Sequence, residues 1–267
     1  MPDDPRRRRG AGERYRGAIV AAIVLVLVGV GAWLWLRSRS GPEPASAGGG
    51  EVTAPAGSAA GTDSAASLPP LAASDSLVRA WVEGLSSHPR LAEWLATDSL
   101  VRRFVRAVVT VGLGRTPRSE LAFLEPEGKF RVRGSGDSLV VDPASYRRYD
   151  PLVETFAALD TRGAARIYRR LRPLFQQAYR DLGYREGSFD AEMARAVEEL
   201  RGAPVPEEPV RLVPRGASEY EFADPRLEGL DPVQKQLLRM GPSNVRRVQA
   251  GLGELAEALE LPTLPGE

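Results

Sequence analysis

The side chains that could do chemistry are few. The chain has no cysteine and one histidine, His88, which excludes thiol catalysis and disulfides and leaves a zinc site short of ligands. A Ser-His-Asp triad would have to use His88, but no G-x-S-x-G turn supplies the serine. Because His88-Pro89 stands between two predicted helices, we expect a loop or helix-capping histidine. We expect no cofactor, since the sequence holds no P-loop, no full G-x-G-x-x-G and no EF-hand loop.

Paired carboxylates are the one catalytic device that the sequence leaves open. Two acids from any part of a chain can cleave a glycosidic bond, and Glu219, Glu221 and Asp224 are the strongest candidates. Acids beside proline or on a helix face more often cap helices or pair with arginine. A carboxylate-dependent hydrolase is therefore the alternative interpretation, not the preferred one.

Arginine pairs are the third chemical feature, and they could grip an anionic polymer. Residues 1–40 carry +5 and residues 41–70 carry −3, which leaves −1 for residues 71–267 of a chain with net charge +1. A nearly neutral domain is not expected to bind nucleic acid. The pair Arg147-Arg148 is flanked by Tyr146 and Tyr149, and a Tyr/Arg face suits contact with a protein or glycan. These four residues are the candidate interaction surface.

The predicted elements around these residues are mostly helices. SDSLVRAWV (Ser74–Val82) and TDSLVRRFV (Thr97–Val105) share one pattern, with apolar residues at helical spacing after a residue that can cap a first turn. Two copies do not make a solenoid. We therefore expect two similarly capped core helices, beginning at Ser74 and Thr97 or at the aspartates after them.

Strand patterns occur in two places. FRVRGSGDSLVV (Phe130–Val141) alternates and breaks at a Gly/Ser/Asp loop, which is typical of a hairpin. VRLV (Val210–Val213) and EYEFA (Glu219–Ala223) predict a second short hairpin or edge strands. The expected fold class is therefore mainly α, with one or two short β-hairpins.

Helix boundaries in the second half follow from proline, aspartate and glycine. Asp-Pro pairs predict helix starts, and they occur at residues 142–143, 150–151, 224–225 and 231–232. A helix from Asp160 should end near Gly183 and be kinked or divided at Pro173. A shorter helix should cover Asp190–Leu200.

The last helix carries an apolar stripe formed by Val245, Val248, Leu252, Leu255 and Leu259. The stripe covers only two heptads, and a sustained coiled coil normally needs three or four. We therefore expect it to pack onto its own domain and the soluble domain to be monomeric.

Gly17–Leu36 is an uncharged run of 20 residues, long enough as a helix to cross a bilayer of about 30 Å. Six arginines precede it and two follow closely, so the N-terminus should be cytoplasmic and the rest periplasmic or otherwise extracytoplasmic. Signal-peptide cleavage near Ala45-Ser46-Ala47 is the alternative, although the apolar run exceeds the usual signal core of roughly 7–15 residues. The expected membrane-interface residues are Arg14, Tyr15, Arg16, Trp33, Trp35 and Arg37.

The whole chain divides into five predicted parts. Residues 1–16 form a basic cytoplasmic tail, residues 17–36 a transmembrane helix, and residues 37–70 a disordered linker rich in Gly, Pro, Ala and Ser. Residues 71–260 form the helical domain, and residues 261–267 a tail.

Two long segments carry a family resemblance: YRRLRPLFQQAYRDLGY (Tyr168–Tyr184) and YEFADPRLEGLDPVQKQLLRMGPSNVRRV (Tyr220–Val248). With LPPL, LVRRFV, FRV and YRRYDPLV in the same order, the sequence resembles the bacterial family catalogued as domain of unknown function 3014 over residues 68–260. The resemblance implies one N-terminal span followed by a mostly helical domain. It implies no assigned activity and no functional residues.

These observations favour a non-catalytic role. We expect a bacterial inner-membrane protein whose external domain is an interaction or scaffolding module for another envelope protein. A carboxylate-dependent envelope hydrolase and a binder of cell-wall or anionic glycan are the alternatives.

Overall fold

The structure is a computed structural model that describes residues 68–207, 209–216 and 219–264. The predicted cytoplasmic tail, the membrane span and nearly all of the linker lie outside the described residues. So do the predicted interface residues Arg14, Tyr15, Arg16, Trp33, Trp35 and Arg37. Within the described residues, no helix is both long enough and apolar enough to cross a membrane.

The described part of the chain is mainly helical, as the sequence predicts. Before the second half of the chain come α1 (Asp75–Glu83), α2 (Pro89–Leu95) and α3 (Leu100–Gly112). The remaining helices are α4 (Pro143–Arg147), α5 (Asp150–Ala157), α6 (Thr161–Asp181), α7 (Phe189–Arg201), α8 (Pro225–Glu228), α9 (Pro232–Leu238) and α10 (Pro242–Leu259). Four short strands form two antiparallel pairs: β1 (Val132–Arg133) with β2 (Val140–Val141), and β3 (Leu212–Pro214) with β4 (Tyr220–Phe222).

The centre of the core lies between α3, α6 and α7. Phe104 of α3, Phe175 of α6 and Phe189 at the start of α7 are buried with ring centroids 5.0–5.6 Å apart. Fully burying a phenylalanine stabilises a fold by about 1.5–3 kcal/mol, so this trio contributes substantially to the packing of the three helices.

Helix α10 packs on α5, α6 and α7, and its apolar stripe is buried as expected. Val245, Val248 and Leu252 are each at most 1% exposed. The close approach to α5 requires Gly251, because a Cβ there would lie 2.5 Å from Cζ of Phe156. The glycine that lowers the helix propensity of this segment is thus what lets α10 reach α5.

The two repeated segments form neighbouring helices, but their predicted capping is wrong. The Asp75 carboxylate of the first copy accepts hydrogen bonds from the amides of Ser99, at 2.6 Å, and Leu100, at 2.9 Å. It therefore caps α3, the helix of the second copy, which begins at Leu100 and not at Thr97. Arg79 of the first copy in turn donates to the carbonyls of Leu95 and Thr97 at the end of α2. The aspartate and arginine of the first repeated segment therefore connect α1 to the end of α2 and the start of α3.

Pro173 does not divide α6, which runs as one helix from Thr161 to Asp181. Leu171, Leu174 and Phe175 on either side of it are buried, whereas Pro173 itself is exposed. Packing of both halves on the same core offsets the hydrogen bond that the proline removes. By contrast, the predicted Asp-Pro helix starts are confirmed: Asp142 accepts from the Ala144 amide at 2.8 Å, and Asp224 from the Arg226 amide at 2.9 Å.

Candidate interaction surface

The predicted Tyr/Arg surface does not form. Tyr146 is 8% exposed and Tyr149 is 3% exposed, so both rings belong to the core, while Arg147 is exposed and Arg148 is half-buried. The Tyr149 hydroxyl accepts a hydrogen bond from Nε2 of buried Gln236 at 3.1 Å. Burial raises the pKa of Tyr149. The burial of both tyrosines makes them part of the core and not of an interaction surface.

The inward tyrosines belong to a polar junction between two distant segments. Asn244 donates from Nδ2 to Oδ1 of Asp150 at 2.8 Å and to the carbonyl of Met240 at 3.1 Å. Gly241 has φ of 82°, and a Cβ there would lie 2.5 Å from the Tyr146 ring. Buried amide groups need hydrogen-bond partners of this kind, so the polar side chains of the junction have a structural role.

His88 caps a helix, as predicted. It is the N-cap residue of α2, and its Nδ1 lies 3.4 Å from the Arg90 amide and 3.1 Å from Oγ1 of Thr155. The Thr155 hydroxyl donates to the Pro151 carbonyl at 2.7 Å, so its oxygen can accept a hydrogen bond from a protonated Nδ1. The tautomer with a protonated Nδ1 therefore favours the contact with α5, and the tautomer with an unprotonated Nδ1 favours the cap on the Arg90 amide. Both arrangements use the ring to hold α2 in place.

The candidate catalytic acids also have structural partners. Asp224 caps α8, and the hydrogen bond from the Arg226 amide lowers the pKa of Asp224. Glu221 pairs with Arg215 across the second hairpin. Within the described residues, no group of three or more His, Cys, Asp and Glu side chains could hold a metal ion.

Glu228 protects the edge of a strand, a role that the sequence did not indicate. One of its carboxylate oxygens accepts from the Phe222 amide at 2.9 Å, and the other pairs with Nζ of Lys235 at 2.8 Å. Burial raises the pKa of Glu228, but the hydrogen bonds from Lys235 and Phe222 outweigh it and lower the pKa overall.

Glu199 near the end of α7 lies in a setting that is unfavourable for a charged carboxylate. Partial burial raises its pKa, and the nearby charge of Asp231 raises it further. Its Oε1 is buried without a hydrogen-bond partner among the described residues. A buried oxygen without a donor is destabilising, so this position favours a neutral side chain.

The two predicted hairpins are joined, which the sequence did not reveal. Val140 of β2 bridges Arg211 just before β3. The Val141 amide donates to the Val210 carbonyl at 3.0 Å, and the Leu212 amide to the Leu139 carbonyl at 2.9 Å. The isolated bridge therefore makes the two hairpins neighbours in the order β1, β2, β3, β4. We call this arrangement the meander, although α4 to α7 lie between β2 and β3 in the sequence.

The two faces of this meander differ in chemistry. Leu139, Val141, Val210, Leu212 and Phe222 are buried. The register places Arg133, Val140 and Arg211 in one row on the opposite face. Neighbouring strands lie about 4.8 Å apart, so the backbones of the two arginines are roughly 10 Å apart with valine between them.

We call Arg131, Arg133, Val140, Arg211 and Val213 the outer face of the meander. The three arginines are exposed and Val213 is 42% exposed. In the described part of the chain, none of the three arginines forms an ion pair, although Arg211 is near enough to contribute to the lowered pKa of Asp224. Phe130, which is 37% exposed, precedes β1 and lies 6.0 Å from the Tyr220 ring. Arginine and aromatic residues are enriched in protein interfaces.

A stacked pair of tyrosines at the end of α6, buried Tyr179 and exposed Tyr184, has a simpler explanation. The rings of Tyr179 and Tyr184 stack at 4.8 Å, and Gly183 between them has φ of 100°. A glycine in this conformation ends many helices, and a contact between the residues on either side of it normally accompanies the ending. Tyr184 therefore fixes the helix end and is a weaker candidate for binding than the outer face.

These features define a mainly helical domain that presents one small exposed meander. The family model matches residues 100–256, from the start of α3 through most of α10. The chain belongs to the family described as "Protein of unknown function (DUF3014)", which confirms the expected family. No curated protein and no solved structure matches the chain.

Proposed function

We propose that this protein is a membrane-tethered, non-catalytic interaction module that binds another envelope protein through the outer face of the meander. The observation that carries the proposal is the row Arg133–Val140–Arg211 with exposed Val213 beside it. An apolar centre flanked by arginines that have no ion-pair partner among the described residues suits a protein surface that offers carboxylates around an apolar patch.

The chemistry of the surrounding residues supports a binding role over catalysis. Glu221, Asp224 and Glu228 each have a hydrogen bond or ion pair that accounts for them. The single histidine caps a helix. These three acids are therefore used by the fold, whereas Arg133 and Arg211 have no ion-pair partner among the described residues.

The predicted location supports the same role. A chain with one span and a linker of 34 residues would hold its domain within roughly 30–35 Å of the bilayer. A tether raises the effective concentration of the domain near other membrane proteins, so a weak surface contact is sufficient for binding.

Site-specific photocrosslinking in living cells tests the proposal. A photoreactive amino acid at Val213 should give a discrete crosslinked product, and the same amino acid at exposed Ser119 should not. Arg133→Glu with Arg211→Glu should abolish the product without lowering the thermal stability of the protein. Arg115→Glu with Arg118→Glu, the same charge change on another exposed segment, should leave it intact. No product at Val213, or a product indifferent to the Arg133/Arg211 change, would refute the proposal.

A further inference from the structure

Helix α6 is strongly basic although the domain is nearly neutral. Between Thr161 and Asp181 it carries six arginines and one acid, Asp181. One side of the helix presents Arg162, Arg166, Arg169, Pro173, Gln177 and Arg180, at steps of three and four residues that keep them in line. All of these are exposed except Arg166, which is half-buried. We call these six residues the arginine face of α6.

The acids near this face neutralise only part of its charge. Asp160 pairs with Arg166 at 3.6 Å, and Asp181 pairs with Arg102 of α3 at 3.4 Å, so both acids stand at the ends of the helix. Arg169 donates to the carbonyl of Ala258 at 3.0 Å, a neutral acceptor that leaves its charge in place. In the described part of the chain, Arg162 and Arg180 form no ion pair with an acid.

The first residues that the structure describes lie next to this helix. The first turn of the described chain, Leu71–Ala73, contacts α6, and Leu71 is buried. Trp81 of α1 is half-buried, and the Arg170 guanidinium lies over its ring, 4.2 Å from the centroid. The predicted linker therefore joins the domain beside α6, which favours an orientation that turns this side towards the membrane.

We propose that the arginine face of α6 docks on the anionic phospholipid headgroups of the membrane to which the chain is tethered. The charge is complementary, because arginines near an anionic leaflet are attracted to it. Indole rings favour the headgroup region, and Trp81 lies at the side of the face. The linker is long enough to let the domain reach the bilayer and short enough to keep it near. The proposal shares with the proposed function only the predicted anchor and uses a different surface.

Fluorescence quenching on the full chain tests the docking. The chain has no native cysteine, so a single cysteine at Gln177 can carry a fluorophore in protein reconstituted into nanodiscs with nitroxide-labelled headgroups. Quenching should be strong in nanodiscs rich in phosphatidylglycerol, weak in pure phosphatidylcholine, and should decrease as salt is added. A fluorophore at exposed Glu198 on α7 should be quenched little in either lipid.

Charge variants decide whether the arginines cause the docking. Arg162→Gln with Arg180→Gln should lower the docking equilibrium constant by about 25-fold, since each arginine near an anionic surface contributes a factor of about five. Arg118→Gln with Arg147→Gln, which removes two exposed arginines elsewhere, should change it less than twofold. Unchanged thermal unfolding would show that the variants are folded.

Three results would overturn the proposal: equal quenching in both lipids, equal quenching at Glu198, or no effect of the Arg162/Arg180 change. If docking is absent but a soluble acidic polysaccharide protects Gln177 only when Arg162 and Arg180 are present, the face binds a polyanion and the lipid assignment is wrong. Crosslinking from Val213 is a separate readout, so either proposal can fail while the other stands.

Discussion

Gly251 and Gly253 lie two residues apart on α10, and the fold predicts opposite effects for the same substitution at each. Gly251→Ala would place a Cβ 2.5 Å from Cζ of Phe156. Gly253→Ala would place one 3.7 Å from the flexible end of the Arg201 side chain, an ordinary contact distance. Both changes raise helix propensity by about 0.8–1 kcal/mol.

The balance of these effects gives the expected free energies of unfolding. Overpacking costs about 1–3 kcal/mol and outweighs the gain in propensity at Gly251, so Gly251→Ala should destabilise the protein by about 1 kcal/mol. Gly253→Ala has no such cost and should stabilise it by about 0.5–1 kcal/mol. Urea denaturation of a fragment that begins at residue 68, followed by tryptophan fluorescence, measures both values.

A second change isolates the contact itself. Phe156→Leu removes the ring atoms that the new Cβ would meet. In the Phe156→Leu background, Gly251→Ala should therefore lower the free energy of unfolding much less than it does when Phe156 is present. If Gly251→Ala is as stable as Gly253→Ala, the described packing of α10 on α5 is wrong.

Four further predictions follow from the same structure and sequence. The fragment from residue 68 should sediment as a monomer, and Leu252→Asp should unfold it because the charge would be buried without a partner; a dimer converted to a folded monomer would instead make α10 an interface. Glu199→Gln should raise the free energy of unfolding at neutral pH by less than about 1 kcal/mol. Because the pKa of Glu199 is raised in the folded state, its contribution to stability is fully present at low pH and is lost as the pH rises through the folded-state pKa. The gain in stability from Glu199→Gln should therefore vanish near pH 4, and Glu198→Gln, on the exposed side of α7, should give no gain at neutral pH. His88→Ala should change the free energy of unfolding by under about 1 kcal/mol, and a larger loss would mean that its contact with Thr155 is a main support of α2. An export-dependent phosphatase fused after Glu267 should be active and a cytoplasm-only fluorescent reporter there dark, and the opposite pair of results would contradict the predicted topology.

Local patterns fixed much of the helical part of this fold. The stripe on α10 and the Asp-Pro helix starts depend on neighbours within one or two turns, and such short-range rules can be applied to a sequence directly. The same rules placed His88 at a cap and excluded thiol chemistry, because composition and position decide both.

The candidate surfaces depended on the tertiary structure. Tyr146 and Tyr149 have the composition of an interface, but only the approach of Gln236 and Gly241, more than 80 residues away in the sequence, makes them core residues. The two hairpins were predictable singly, yet the row that joins Arg133 to Arg211 exists only because β2 and β3 pair.

What the sequence by itself determined is the mainly helical class of the domain, its family and most of its helix starts, because these depend on local spacing and composition. What only the tertiary structure decided is which polar residues face inward and which exposed arginines have no ion-pair partner among the described residues. Asp75 caps α3, the helix of the second repeated segment, and α6 lies beside the first described turn, Leu71–Ala73. Those outcomes are set by long-range packing, where burial of one side chain depends on what every neighbouring element presents to it.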